Sequence, residues 1–209
     1  RTFNPLPWSR PLRGTFPLDV YFTRTAEQYA WTTTLEQGIP PVRYRVVPRT
    51  LVFARRDGEI LLLRRAPERR LFPDRYNGVG GHVEAGEGIL ESARREVAEE
   101  AGVGIREVRL AGLVHVTEPS APDGVLLMVF TAEAADASVS GSSEGEPCWV
   151  RLDEVSRLPV VPDLAEMLPR LWSDPADPPF VAVSRGSEGD TLVFEDGGTS
   201  GLDWRPSIT

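Results

Sequence analysis

A chain of 209 residues with 31 acidic and 23 basic side chains carries a formal net charge of −8. That balance excludes sequence-independent binding of duplex DNA or of an anionic membrane, both of which need a basic surface. All 23 basic residues are arginine, so lysine chemistry is excluded and phosphate contacts fall to guanidinium groups, backbone N–H groups or metal. The single Cys148 rules out an internal disulfide.

The length is enough for one core in a domain of about 150 residues with an extension. Residues 1–44 read as that extension: Pro5, Pro7, Pro11 and Pro17 come first, then a short helix around Ala26 to Gln37, then the break Gly38-Ile39-Pro40-Pro41. Its aromatic residues, among them Trp8, Tyr29 and Trp31, point to docking on the domain or on a partner subunit of a homodimer. The domain is placed at 45–198 and a C-terminal tail at 199–209. Its first strand is expected from Tyr44 to Ala54, followed by the turn Arg55-Arg56-Asp57-Gly58 and the apolar run Ile60 to Leu63.

Beyond a central helix, strands are expected near Val108 to Val116 and Val125 to Ala132, with a Ser/Gly-rich loop from Ala137 to Gly145 and a strand from Cys148 to Leu152. A short helix capped by Asp153 follows, then a helix from Asp163 to Trp172, and a closing hairpin of Phe180 to Arg185 with Thr191 to Glu195. The elements interleave without regular βαβ spacing, which predicts an α/β/α sandwich with a mixed sheet. Neither a membrane-length apolar run nor a signal-peptide pattern is visible, so the default location is cytoplasmic. The first residue is Arg1, not methionine, which leaves the true start open.

Residues 81–103 concentrate the chemistry. They read GHVEAGEGILESARREVAEEAGV and place Glu96, Glu99 and Glu100 on a helix that follows a glycine-rich turn. At about 100° per residue, Glu96 and Glu100 lie roughly 40° apart with Glu99 on the adjoining flank. Three carboxylates so close repel one another unless a cation sits among them, and Mg²⁺ or Mn²⁺ supplies that charge through oxygen ligands. Ile89, Ala93, Val97 and Ala101, widened by Leu90, predict the buried face. Gly102 reads as the left-handed helix end, and Glu91 with Arg95 as an ion pair one turn apart.

The run from Gly81 through Glu87 to Arg95, Glu96, Val97, Ala98, Glu99, Glu100, Ala101, Gly102 and Val103 resembles the complete Nudix box. That resemblance implies a Nudix fold and a metal-dependent hydrolase acting on acid anhydrides in phosphorus-containing compounds. It further implies that Glu96, Glu99 and Glu100 hold Mg²⁺, joined by the Gly80 carbonyl. Arg95 and Glu87 resemble the family pair that braces loop and helix. Glu144, before Pro147-Cys148-Trp149, resembles the additional acid that such enzymes take from a later loop as catalytic group and metal ligand; Glu146 competes with it.

Two local resemblances lean towards oxidised-purine nucleoside triphosphatases of the MutT kind. Asn77 in Tyr76-Asn77-Gly78-Val79-Gly80-Gly81 resembles a base-contacting asparagine, and Asp163 in Val161-Pro162-Asp163 an aspartate that reads the purine edge. Val161 and Leu164 depart from that pattern, standing where the human-type enzyme has a tryptophan and a second aspartate. The implied reaction is cleavage of a small nucleotide, 8-oxo-dGTP or another purine nucleoside triphosphate, to monophosphate and pyrophosphate. Two alternatives stay open. Pro119, sixteen residues past Val103, resembles the marker of ADP-ribose pyrophosphatases, and a non-catalytic nucleotide-sensing Nudix module is the other. The arginines before the box, Arg64, Arg65, Arg69, Arg70 and Arg75, read mostly as a solvated face with the capacity to draw in a triphosphate.

Overall fold

A computed structural model describes residues 44–117, 121, 123–174, 176–185 and 192–195. Strand β1 (Arg45–Arg56) and strand β2 (Glu59–Arg65) are joined by Asp57 and Gly58, whose φ angles of 50° and 83° make the mirror-image turn that matches strand twist. The two strands pair only at the tip, Arg55 with Ile60 and Arg56 with Glu59. They then part. From there β2 continues antiparallel to β6 (Gly145–Arg151) and meets the short β3 (Tyr76–Asn77).

The glycine-rich segment fills the space where β1 leaves β2. Val52 and Val79 exchange backbone hydrogen bonds of 2.7 and 3.1 Å, and the Thr50 N–H donates to the Gly81 carbonyl at 2.9 Å. Any Cβ at Gly80 would run into the Thr50 carbonyl, so this close approach of two backbones requires glycine. Gly80→Ala is therefore expected to cost about 1–3 kcal/mol, as overpacking does. A chemical denaturation curve checks this, and an unchanged midpoint would show that the segment moves aside freely.

Strands β4 (Ile105–Val116) and β5 (Asp123–Ala134) pair antiparallel, while β5 runs parallel to β1 from Arg45/Asp123 to Arg55/Glu133. Strand β7 (Phe180–Ser184) lies parallel to β4, and β8 (Val193–Phe194) closes the edge. The order is β3-β2-β1-β5-β4-β7-β8, with β6 on β2.

Alternation along β1 sends Leu51 and Phe53 to one face and Val52 and Ala54 to the other, so both faces need a cover. Helix α1 (Ile89–Ala101) covers the Val52 face with Ala93, Val97 and Ala101. Helix α2 (Pro162–Leu171) covers the Phe53 face with Leu164, Met167 and Leu171. The result is an α/β/α sandwich around a mixed sheet. Among the described residues no helix is long and apolar enough to cross a membrane.

Several local expectations need correction. Ile89 and Leu90 are 46% and 44% exposed, because the first turn of α1 overhangs the sheet and only the later turns reach it. Glu91 does not pair with Arg95; its Oε2 accepts the Gly88 N–H at 3.3 Å, at the start of the helix. Asp153 caps no helix, since its carboxylate takes two bonds of 3.1 Å from Arg151. Pro162 stands inside α2 as its first residue and Trp172 just after its end. Gly102 does end α1 with φ 71°, its N–H donating to the Ala98 carbonyl at 3.0 Å. The expected helix at 26–37, Pro119 and the turn at 186–190 lie outside the described residues.

Candidate active site

Arg95 ties the loop before α1 to the helix itself. Its Nε donates to Glu87 Oε1 at 2.7 Å and its Nη2 to Glu87 Oε2 at 2.9 Å, a two-point pairing that suits the guanidinium fork. Nη1 reaches Glu96 Oε1 at 2.9 Å and Glu99 Oε2 at 3.0 Å, and Nη2 also donates to the His82 carbonyl at 3.1 Å. The Ser92 hydroxyl donates to the same carbonyl at 3.1 Å. The Arg95 hydrogen bond, more than any other influence, holds the Glu87 carboxyl well below the usual range, at about 2. The loop from Gly81 to Gly88 is thereby tied to the helix through one guanidinium.

Glu100 sits in different surroundings. It is 8% exposed, and its Oε2 accepts the Gly80 N–H at 3.3 Å. Burial first, and then the nearby charge of Glu96, push its carboxyl up to about 7 despite that hydrogen bond. Glu144 adds to the same negative field. Gly81 lies so close that any Cβ there would meet the Glu96 carboxylate. Sequence spacing placed three carboxylates on one helix; the fold adds an unequal division, with Glu100 buried, Glu96 partly covered and Glu99 out in the solvent.

These groups line a cleft of about 570 Å³. Its lining brings together Glu96, Glu99 and Glu100 of α1, Arg49 of β1, Arg65 of β2, Arg69, and Glu144 from the loop before β6. Arg69 grips Glu144 at two points, Nη1 to Oε1 at 2.9 Å and Nη2 to Oε2 at 2.6 Å. Of the pre-box arginines, Arg64 instead pairs with Asp74 and Arg75 donates to the Val160 carbonyl.

Asn77 also lines the cleft, its Oδ1 accepting the Gly78 N–H at 2.9 Å. Asp163 does not line it. That residue lies in the first turn of α2, half-buried, and burial raises its carboxyl pKa above the ordinary value. The Val161 N–H donates to the Tyr76 carbonyl at 2.9 Å, so the Asp163 segment runs beside β3 while Asp163 stays off the cleft wall. Val161 and Leu164 point into the core.

Arg49 and Thr50 were missed from sequence. They lie on β1, more than thirty residues before the box, and the pairing of β1 with the glycine-rich segment, Thr50 with Gly81 and Arg49 with His82, brings them to it. The Thr50 Oγ1 is buried without a hydrogen-bond partner among the described residues.

The donor set fits a hard divalent cation. Every candidate ligand is oxygen, the charges on Glu96, Glu100 and Glu144 are mutually unfavourable, and a cation relieves the cost of ionising the buried Glu100. With Arg95 holding Glu96 and Glu99, no three such side chains among the described residues converge as a metal cluster.

The model of the NUDIX domain family matches residues 44–171, and the chain belongs to that family. It is similar to the oxidized purine nucleoside triphosphate hydrolase of Mus musculus, 30% identical over 97 residues, covering 46% of this chain and 62% of the relative. It is also similar to the NAD-capped RNA hydrolase NudC of Chromobacterium violaceum, 33% identical over 129 residues, covering 60% of this chain and 46% of that protein. The chain thus spans about half to three-fifths of these curated relatives. Among solved structures, the MutT protein from Bacillus halodurans superposes with a TM-score of 0.52 at 26% identity, covering 66% of this chain and 89% of that one.

Proposed function

We propose that this protein is a Mg²⁺-dependent pyrophosphohydrolase that cleaves a purine nucleoside triphosphate, 8-oxo-dGTP among the candidates, to monophosphate and pyrophosphate. The observation that carries the reading is one cleft lined by both carboxylates and arginines. A polyphosphate needs both: cationic groups for its oxygens, and a carboxylate nest for the cation that travels with it.

Glu96, Glu99, Glu100 and Glu144 are the residues that hold the ion, with Gly80 beside them offering its carbonyl. When bound, Mg²⁺ neutralises phosphate charge and lowers the pKa of coordinated water. Glu144 accepts the proton of the attacking water as its oxygen bonds to phosphorus. The bridging P–O bond breaks and pyrophosphate leaves with that electron pair. Arg95 and Glu87 keep the loop and helix in register, and Arg49 and Arg65 neutralise the phosphate chain. The Asn77 side chain, which lines the cleft, is assigned to the base, while Asp163 lies off the cleft and its role at the purine edge rests on the resemblance alone.

A panel of 8-oxo-dGTP, unmodified dNTPs, ADP-ribose and dinucleoside polyphosphates, scored for products under Mg²⁺, tests this. Monophosphate plus pyrophosphate from a triphosphate is the expected result. Similarity to NAD-capped RNA hydrolases over a longer stretch favours a second reading, a pyrophosphate joining a nucleotide to another moiety, for which ADP-ribose is the probe. Binding without turnover of any compound would leave only the sensing module. Asn77→Ala should raise KM for the preferred base about tenfold and leave kcat nearly intact, the loss of one hydrogen bond to substrate. Asp163→Ala should erode the same preference; equal KM values for all bases in the unaltered enzyme would remove both assignments.

A further inference from the structure

Arg69 and Glu144 hold each other by side chains alone, each on a fixed backbone. The Ala66 N–H donates to the Glu144 carbonyl and the Arg69 N–H to the Ala66 carbonyl, both at 3.0 Å, while Gly145 pairs with Arg65 in the sheet. Both side chains are more than a third exposed, so rotamer changes suffice to part them. Solvent exposure screens the pair, which leaves it open to exchange with a competing anion of higher charge.

What surrounds the pair decides what exchanges with it. Arg49, Arg65 and Arg69 all line the cleft, and among the described residues Arg69 alone of the three holds a carboxylate there. Arg65 spends its Nε on the Leu71 carbonyl at 2.9 Å. Burial and then the charges of Arg69 and Arg49 lower the Arg65 pKa, the mark of cations crowded together. A phosphate chain meets three guanidiniums where Glu144 meets one. The planar fork that accepts a carboxylate at two points accepts two phosphate oxygens equally well.

From this geometry we propose that Arg69 is a phosphate-operated latch on Glu144, which already lines the cleft, freeing that carboxylate only when a polyphosphate takes its place on the guanidinium. The proposal rests on the hydrolase reading for the use of the freed Glu144, but the exchange itself needs no metal and no turnover. In the ligand-free protein the acid is paired with Arg69 and already adds to the negative field at Glu100. Arrival of substrate unpairs it. Arg69 is thus a positioning residue, acting on the reaction through Glu144.

The test is a double-mutant cycle on binding of inorganic triphosphate, measured by calorimetry in EDTA at low ionic strength. Arg69→Ala should weaken binding about tenfold or more, as loss of a charge-assisted contact does. Glu144→Gln should tighten it about two- to fivefold, the range an exposed pair commands, because the internal competitor is gone. In the Arg69→Ala background the same Glu144→Gln change should have almost no effect. Equal tightening in both backgrounds means mere removal of negative charge and overturns the latch, as does undiminished binding by Arg69→Ala. Arg69→Lys, which keeps the charge and loses the fork, should bind triphosphate while shrinking the Glu144→Gln effect. If the cycle holds and no nucleotide is hydrolysed, the hydrolase reading alone falls; if hydrolysis is seen and the cycle fails, the latch alone falls.

Discussion

Glu100→Gln is expected to lower kcat roughly 10²- to 10³-fold, the scale of losing one preorganised electrostatic group, while making the metal-free protein more stable at pH 8. The two effects have one cause. Glu100 is a buried carboxyl raised to about 7 by desolvation and by Glu96, against about 4.5 in the unfolded chain. Between those values the unfolded chain gives up its proton while the folded one keeps it. Stability conferred by the protonated form is therefore complete below pH 4.5 and is lost as pH rises towards 7, by on the order of 3 kcal/mol. Gln keeps the acceptor for the Gly80 N–H and has no proton to lose.

Denaturation in EDTA at pH 5 and pH 8 measures this directly. The unaltered protein should be weaker at pH 8 and Glu100→Gln nearly level, with Mg²⁺ restoring stability at pH 8 only where the carboxylate is present. Glu99→Gln should share the kinetic loss. Full activity of both variants would refute their assigned roles.

Arg95→Ala is expected to lower kcat/KM about 10- to 100-fold, the usual result of removing the group that orients metal-holding side chains. Lysine should not rescue it, because one ammonium cannot reproduce the fork to Glu87 together with the contacts to Glu96, Glu99 and the His82 carbonyl. Acid stability supplies a readout independent of activity. The Glu87 carboxyl is held at about 2 chiefly by its Arg95 hydrogen bond. Its contribution is present above pH 4.5 and is lost as pH falls towards 2. Far-UV circular dichroism during acid titration should show a shallower loss over that window in Arg95→Ala than in the unaltered protein. An identical acid profile with reduced activity would mean that Arg95 acts on the reaction without bracing the loop.

The helix of residues 89–101 was legible because its signals are local. Acidic residues spaced three and four apart share a flank whatever the rest of the chain does, and Gly102 marks an end that only a left-handed residue makes without strain. The alternating strands β1, β4 and β5 were legible for the same reason. Local reading failed where a side chain had a choice of partners. Glu91 at helical spacing from Arg95 looked like its mate, yet Arg95 reaches back to Glu87 across the loop, where it gains two bonds in place of one. Asp153 looked like a cap and serves Arg151.

By itself, then, the sequence determined which residue types stand on the carboxylate helix, in what order, and that they call for a hard cation. Tertiary structure alone decided that Glu100 is the buried member, since burial depends on β1 and the glycine segment closing over it. It alone set Arg49 and Thr50 against the box, and Arg69 against Glu144, across 75 positions of sequence. Charge and helical period are properties of neighbours along the chain. Desolvation and long-range pairing come into being only when strands from distant parts of it meet.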